Sequence, residues 1–163
     1  MGYTARVITI SDKGSRGERI DTSGPALKRM LEAKGFTADD VVIVPDEVDR
    51  IAGSLIDASD RDRRDIIITT GGTGLSPRDV TPEATRSVID RDLPGFAEIM
   101  RAESFKITPH AIISRAICGI RGMSIIINLP GSEKAAVECL GFVIAAIPHA
   151  LAKLQGDPAD CGT

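Results

Sequence analysis

Short apolar runs alternate with helix-like segments along the first half of the chain. Apolar residues recur at helical spacing over Pro25–Lys34 and Glu47–Ser59, between runs rich in β-branched residues. Near-continuous apolar runs of this kind are typical of buried strands covered by helices on both faces. The order strand, helix, strand, helix, strand therefore predicts an α/β fold with a mostly parallel sheet. The predicted strands are Arg6–Ile10, Val41–Val44 and Asp65–Thr70.

The second half of the chain is less regular. Thr81-Pro82-Glu83 predicts a helix start with Thr81 as its cap. Ala116–Ile120 and Ser124–Asn128 are strand-like runs around a turn, so an antiparallel pair is one arrangement open to them. We expect one domain over residues 1–163, with fraying at 156–163. A further helix is predicted at Pro94–Phe105 and a last helical region after Ser132.

Polar residues follow each of the first three predicted strands. Right-handed crossovers would place Ser11-Asp12, Pro45-Asp46 and Thr70-Gly71 on one edge of the sheet. In open parallel sheets the carboxyl edge is where ligands bind. This edge is therefore the predicted functional site.

A glycine-rich loop, Gly71-Gly72-Thr73-Gly74, comes directly after the most hydrophobic of these strands. Its glycines allow backbone amides to turn inward and form an anion nest, which suits phosphate. The loop lacks the Lys-Ser/Thr pair of the Walker pattern, and Pro77 stands where the dinucleotide fingerprint requires glycine. A tight turn that serves only packing is the alternative interpretation.

Two acids are candidates for the chemistry at this edge. Asp79 follows the glycine-rich loop, and Asp46 follows the second predicted strand. Carboxylate oxygens suit Mg²⁺, so the pair predicts a magnesium site for phosphoryl or nucleotidyl transfer. Asp79 as a solvated loop charge and Asp46 as a turn residue or helix cap remain open. Ser11 shares this edge.

A second loop, Pro130-Gly131-Ser132, precedes the last helical region. Helix N-termini attract anions, so this loop is a candidate for a second phosphate. Capping by Ser132 explains its position equally well.

Composition narrows the function classes. A net charge of -3 and a scarcity of aromatics, with four Phe, one Tyr and no Trp, argue against a nucleic-acid surface. Cys118, Cys139 and Cys161 show no metal-ligand spacing, so incidental thiols are expected. We find no apolar run of about 20 residues and no signal-peptide core, so no membrane association and a cytoplasmic location are expected.

Several of these motifs together resemble the molybdenum-cofactor biosynthesis proteins that bind molybdopterin. The likeness runs from about Arg6 to Leu154, and its most specific part is Gly-Gly-Thr-Gly followed by Arg-Asp-Val-Thr-Pro. The chain resembles stand-alone molybdopterin adenylyltransferases and the G domains of gephyrin and plant molybdenum-cofactor proteins. The blocks are Thr9–Asp12, Asp21–Gly24, Pro45–Glu47, Thr70–Gly74, Arg78–Glu83, Pro94–Phe96, Ser114-Arg115 and Asn128–Ser132.

The resemblance implies a three-layer α/β/α fold, commonly trimeric, and Mg²⁺-dependent transfer of AMP from ATP to the terminal phosphate of molybdopterin. It assigns the catalytic and metal-binding acids to Asp46 and Asp79. The phosphate loops fall on Gly71–Gly74 and Pro130–Ser132, and the pterin-side contacts on Ser114 and Arg115. A separate partner protein would insert molybdate. A non-catalytic pterin carrier and a related enzyme of the competence-damage type, acting on another nucleotide, are the alternatives.

Overall fold

Seven strands form one sheet in the computed structural model, which describes residues 2–158. They are β1 (Thr4–Ile10), β2 (Thr37–Ala38), β3 (Val42–Val44), β4 (Ile66–Thr70), β5 (Arg91–Asp92), β6 (Cys118–Arg121) and β7 (Ser124–Leu129). The order is β2-β1-β4-β7-β6-β5, and β3 also pairs with β1. Five strands run parallel to one another: β1, β2, β3, β4 and β7. At one edge of the sheet, β6 pairs antiparallel with β7, and β5 pairs antiparallel with β6. The mostly parallel sheet and the antiparallel β6–β7 pair are thus confirmed.

The helices are α1 (Asp12–Ser15), α2 (Ser23–Ala33), α3 (Val48–Ile56), α4 (Thr81–Arg86), α5 (Pro94–Phe105), α6 (Glu133–Val143) and α7 (Ile147–Leu154). A wider π-helical turn at Asp57–Arg61 extends α3, and a 3-10 turn occupies Pro109–Ile113. The bounds predicted for α5 are confirmed. The short elements α1, β2 and β5 were not predicted, since two to four residues carry too little periodicity.

Helices cover both faces of the sheet and make three layers. Val7 packs on one face with residues of α2, α5, α6 and α7, and its neighbour Ile8 packs on the other with residues of α3 and α4. The same alternation places Ile66 and Ile67 on opposite faces. Because successive side chains of a strand point to opposite faces, a strand that is apolar throughout must be covered on both. The predicted three-layer α/β/α class is confirmed.

The predicted capping role of Thr81 is wrong. Val80 occupies the cap position of α4, and the Thr81 hydroxyl donates instead to the Gly71 carbonyl at 2.9 Å. Thr81 is fully buried. The side chain thus connects α4 to the glycine-rich loop. A capping pattern considers only neighbouring residues, so it does not reveal a hydrogen-bond acceptor that is 10 residues away.

One segment, Glu133–Leu154, is long and apolar enough to cross a membrane by length and composition, so the expectation that no such apolar run exists is wrong. It consists of α6 and α7, which a three-residue turn separates. Leu140, Ile147 and Leu151 are fully buried in the main core, so the segment also fits a core helix pair, which passes the same test.

Of the three cysteines, Cys118 and Cys139 are buried and free, as expected. Burial raises the pKa of the Cys118 thiol to about 12, so this side chain stays protonated. Cys161 and most of the tail predicted to fray lie outside the described residues.

Candidate active site

The predicted edge exists: β1, β3 and β4 run parallel and end side by side. The amide of Ser11, just after β1, donates to Val44 at the end of β3 at 2.9 Å. The Gly71 amide, just after β4, donates to Leu129 at the end of β7 at 3.1 Å. Backbone hydrogen bonds therefore join the segments that carry the candidate residues.

The glycine-rich loop requires its first two glycines. Gly71 and Gly72 have φ of 107° and 65°, and a Cβ at either position would overlap Ile10 or Thr81, respectively. Thr81 in turn anchors the loop, because its amide donates to the Gly72 carbonyl at 3.1 Å. Within residues 2–158, the four amides of 72–75 donate to no acceptor. Consecutive free amides of this kind fit an anion nest.

The second loop packs directly against the first. The Thr70 hydroxyl donates to the Pro130 carbonyl at 2.7 Å, and a Cβ at Gly131 would lie 3.2 Å from Gly71 Cα. Ser132 holds the cap position of α6 but makes no side-chain capping bond. The two candidate phosphate loops thus form one continuous surface.

Part of this surface borders a cavity of about 510 Å³, which we call the acid cavity. Asp46 and Asp79 both line it, from different strand ends, and Asp21 lies at the end toward α2. The Asp21 carboxylate accepts from the Thr9 hydroxyl at 2.6 Å. The full lining comprises Thr9, Ile10, Ser11, Gly14, Arg19, Ile20, Asp21, Thr22, Ser23, Asp46, Thr70, Gly72, Asp79, Gly131, Ser132 and Glu133.

A further acid, Asp12, sits beside this cavity; the sequence placed it on this edge of the sheet but gave it no role there. The Asp12 amide donates to Asp46 Oδ2 at 2.8 Å, and the Asp46 amide donates to Asp12 Oδ1 at 3.1 Å. Arg78 forms a bidentate ion pair with the Asp12 carboxylate, with contacts of 2.8 to 3.1 Å. Asp12 therefore links the end of β1, the end of β3 and the segment that carries Asp79.

Electrostatics distinguish these acids. Burial raises the pKa of Asp46, and the charges of Asp12 and Asp79 raise it further. The hydrogen bonds from Arg78 lower the pKa of Asp12. The surroundings of Asp46 therefore disfavour its charged form. A cation at this position would relieve that cost.

A second cavity of about 270 Å³ lies on the other side of the glycine-rich loop, and we call it the apolar cavity. Its wall is formed by α5, the turn at Pro109–Ile113 and α6, with Thr73, Gly74 and Pro130 where it meets the loops. The apolar lining is Ala97, Met100, Ile107, Ala111, Ile113, Ala116 and Ala135.

Arg115 lines neither cavity. Its guanidinium donates to the carbonyls of Gly74, at 2.8 Å, and Asp79, and to the carboxylate of Glu83. Hydrogen bonding to Arg115 lowers the pKa of Glu83. Arg115 is therefore engaged with the protein, while Ser114 lines the apolar cavity.

The predicted site residues thus fall into three groups. Those on the acid cavity are Ser11, Asp46, Gly72, Asp79, Gly131 and Ser132, and those on the apolar cavity are Thr73, Gly74, Ser114 and Pro130. Gly71 and Arg115 line neither cavity. The sequence placed Asp12 beside Ser11 on this edge, but the pairing of Asp12 with Arg78, 66 residues away, leaves no local signal and was not predicted.

Among the described residues, no group of three or more His, Cys, Asp or Glu side chains could hold a metal ion. Asp46 and Asp79 still fit Mg²⁺, which is bound in phosphoryl-transfer sites by one or two carboxylates together with substrate phosphates and water. The raised pKa of Asp46 is the observation that favours a cation at the acid cavity.

Fold and site together define an α/β protein with a glycine-rich loop and two acids on one cavity at the carboxyl edge of a mostly parallel sheet. The family described as "Probable molybdopterin binding domain" matches residues 6–149. The chain belongs to this family.

Individual relatives agree with that assignment. The molybdopterin adenylyltransferase of Helicobacter pylori (strain J99) is 44% identical, over 93% of this chain and 87% of that protein. The molybdenum cofactor synthesis protein cinnamon of Drosophila melanogaster is 46% identical over 94% of this chain, which spans only 26% of cinnamon. The structure of the molybdopterin biosynthesis enzyme MoaB from Thermus thermophilus has a TM-score of 0.89 at 46% identity, covering 97% of this chain and 99% of that one.

Proposed function

We propose that this chain is a molybdopterin adenylyltransferase, which transfers AMP from ATP to the terminal phosphate of molybdopterin. The observation that carries the proposal is the placement of Asp46 and Asp79 on one cavity beside the Gly71–Gly74 loop. The name and the nearly full-length match of the Helicobacter pylori relative support the same reaction.

In the proposed reaction, an oxygen of the molybdopterin phosphate attacks the α-phosphorus of ATP. A new P–O–P bridge forms, the bond from the α-phosphorus to the bridging oxygen of the β-phosphate breaks, and pyrophosphate leaves with the electron pair. A phosphomonoester is already anionic near neutral pH, so the protein need not supply a strong base. Its task is to hold two anions in line for attack.

The free amides of the two loops suit that task. The amides of 72–75 would bind phosphate oxygens, and the exposed Gly131-Ser132 loop at the start of α6 would hold a second phosphate group. Ser11 lines the same cavity. The apolar cavity, with Ser114 at its wall, would take a ring system of one of the two substrates.

Asp46 and Asp79 would hold Mg²⁺ in this proposal. The ion supplies neutralisation of phosphate charge and orientation of the phosphate oxygens. Asp79 is suited to this, because the Ser76 amide fixes its carboxylate at 2.8 Å and Gly74 leaves it room. Asp46 brings a carboxylate whose own environment disfavours the charged form.

We further propose that single-domain subunits assemble as a homotrimer in the cytoplasm and pass the product to a molybdate-inserting partner protein. Phe105, Ile107 and Ile112 are each more than half exposed, which gives an apolar surface that a neighbouring subunit would cover. Light scattering coupled to size-exclusion chromatography measures the assembly state, and a monomeric mass would contradict the trimer.

The test of function is a purified assay with molybdopterin and ATP, run with and without Mg²⁺. Asp79→Asn keeps the acceptor for the Ser76 amide but removes the charge, so adenylylated product should fall by about 100-fold or more. Asp49→Asn, on the exposed first turn of α3, is the matched control and should be unaffected.

Two outcomes would overturn parts of the proposal. Near-normal product from Asp79→Asn would remove Asp79 from the mechanism. Binding of molybdopterin by the wild type without ATP-dependent pyrophosphate release would instead indicate a carrier.

A further inference from the structure

Arg115 holds the C-terminal end of the glycine-rich loop and the segment that follows it. Its amide donates to the Thr73 carbonyl at 3.0 Å, and Nε donates to the Gly74 carbonyl at 2.8 Å. Nη2 donates to the Asp79 carbonyl, five residues further on, while Nη1 pairs with Glu83 on the first turn of α4. Three carbonyls of one functional segment are thus fixed by one residue.

Fixing these carbonyls also fixes amides. A peptide unit is planar and trans, so its N–H points opposite to its C=O. The bonds to Thr73 and Gly74 therefore set the directions of the Gly74 and Leu75 amides, which donate to no acceptor within the described chain. The bond to the Asp79 carbonyl sets the position of that residue relative to the same amides.

Glu83 completes this arrangement. It lines neither cavity, and its carboxylate accepts from both Nη atoms of Arg115. An exposed ion pair alone is worth little, but here it orients a guanidinium whose other donors are bound to carbonyls. The planar fork of arginine fits this geometry, and a lysine ammonium does not reproduce it.

We infer that Arg115, oriented by Glu83, is a positioning residue that holds the Gly74 and Leu75 amides and the backbone of Asp79 in fixed positions relative to one another. The inference rests on the proposed function for its kinetic consequences. This positioning role differs from the direct contact with the pterin that the family resemblance implies for Arg115.

Steady-state kinetics distinguish a positioning role of Arg115 from a direct contact with the pterin. Arg115→Lys should lower kcat by roughly 10- to 100-fold, because a misplacement of about 1 Å costs that much, with KM for molybdopterin unchanged. Glu83→Gln should have the same effect to a smaller degree, and the double variant should fall short of the product of the two single effects. A direct contact would instead raise KM for molybdopterin in Arg115→Lys and leave Glu83→Gln like wild type, which would overturn the inference.

Arg121→Lys is the matched control. Arg121 also combines a carboxylate pair, with Asp60, and a carbonyl bond, to Val88 at 2.7 Å, but it lies away from both cavities. Its kcat should stay at the wild-type value. An equal loss of kcat in this variant would mean that the effect of Arg115→Lys is general destabilisation, contrary to our inference.

Hydrogen exchange of the ligand-free protein tests the arrangement without any turnover. The Asp79 and Thr81 amides donate to Ser76 and Gly72, respectively, within the held segment. They should exchange faster in Arg115→Lys and Glu83→Gln, but not in Arg121→Lys. Unchanged exchange in both variants would overturn the positioning role. If the variants exchange faster but the wild type makes no adenylylated product, the positioning role stands and only the proposed function is refuted.

Discussion

The two cavities on either side of the glycine-rich loop are built in different ways. The acid cavity is formed at the ends of parallel strands, with Asp46 just after β3 and Asp79 in the segment between β4 and α4. The apolar cavity is formed by the sides of α5 and α6 and by the turn at Pro109–Ile113. Backbone pairing fixes the first, and side-chain packing between helices shapes the second.

This difference predicts different consequences of substitution. A charged group at the acid cavity would help to neutralise phosphate charge during the reaction, so its loss should mainly reduce kcat. A group at the apolar cavity sets shape, so its enlargement should mainly weaken the binding of one substrate. Four experiments test this division, and they follow in order of decreasing expected effect.

Asp46→Asn should have the largest effect. Product formation should fall by about 100-fold or more, because a metal-binding charge is lost while an oxygen remains to accept from the Asp12 amide. The measurement is kcat at saturating Mg²⁺ and ATP. A change in KM for molybdopterin at an unchanged kcat would place Asp46 in binding and break the proposed division.

The acid cavity was also the more predictable one from sequence. Strand ends can be located from apolar runs, and parallel pairing then brings Ser11, Asp46 and Gly71 to one edge. The apolar cavity depends on how Met100, Ile113 and Ala135 approach one another from three separate elements. No spacing in the sequence records that approach, and the same limit hid the Asp12–Arg78 and Arg115–Glu83 pairs.

Gly72→Ala tests the loop that separates the cavities. The new Cβ would overlap Thr81 Oγ1 and lie 3.2 Å from Asp46 Oδ1, at a φ of 65° that disfavours alanine. We expect a destabilisation of about 1–3 kcal/mol and a roughly tenfold or greater loss of kcat. Chemical denaturation and the turnover assay measure the two effects.

The matched control is Gly53→Ala. Gly53 lies within α3, and its added Cβ would meet nothing within 4 Å. This variant should gain about 0.5–1 kcal/mol of stability at wild-type activity. If Gly72→Ala behaved like Gly53→Ala, the strained loop geometry would have no part in function.

Ala135→Leu tests the apolar cavity from α6. The larger side chain should occupy part of the 270 Å³ and raise KM for one of the two substrates roughly tenfold, with kcat unchanged. Lys134→Leu is the control, because its side chain is 80% exposed on the same helix and lies outside the cavity. A fall in kcat without a change in either KM would contradict the division.

The smallest effect concerns the stability of the acid cavity as a function of pH. Because the folded-state pKa of Asp46 is raised, its favourable contribution to folding is fully present below the ordinary value of 3.8 and is lost as pH rises through the folded pKa. At pH 7 the wild type therefore bears a penalty that Asp46→Asn removes. In the absence of Mg²⁺, the variant should melt at a higher temperature than wild type at pH 7 and at the same temperature as wild type at pH 3. Thermal unfolding followed by circular dichroism measures this difference. If the variant instead melts at a lower temperature than wild type at pH 7, the charge of Asp46 stabilises the fold, and the acids of the acid cavity form a structural charge network.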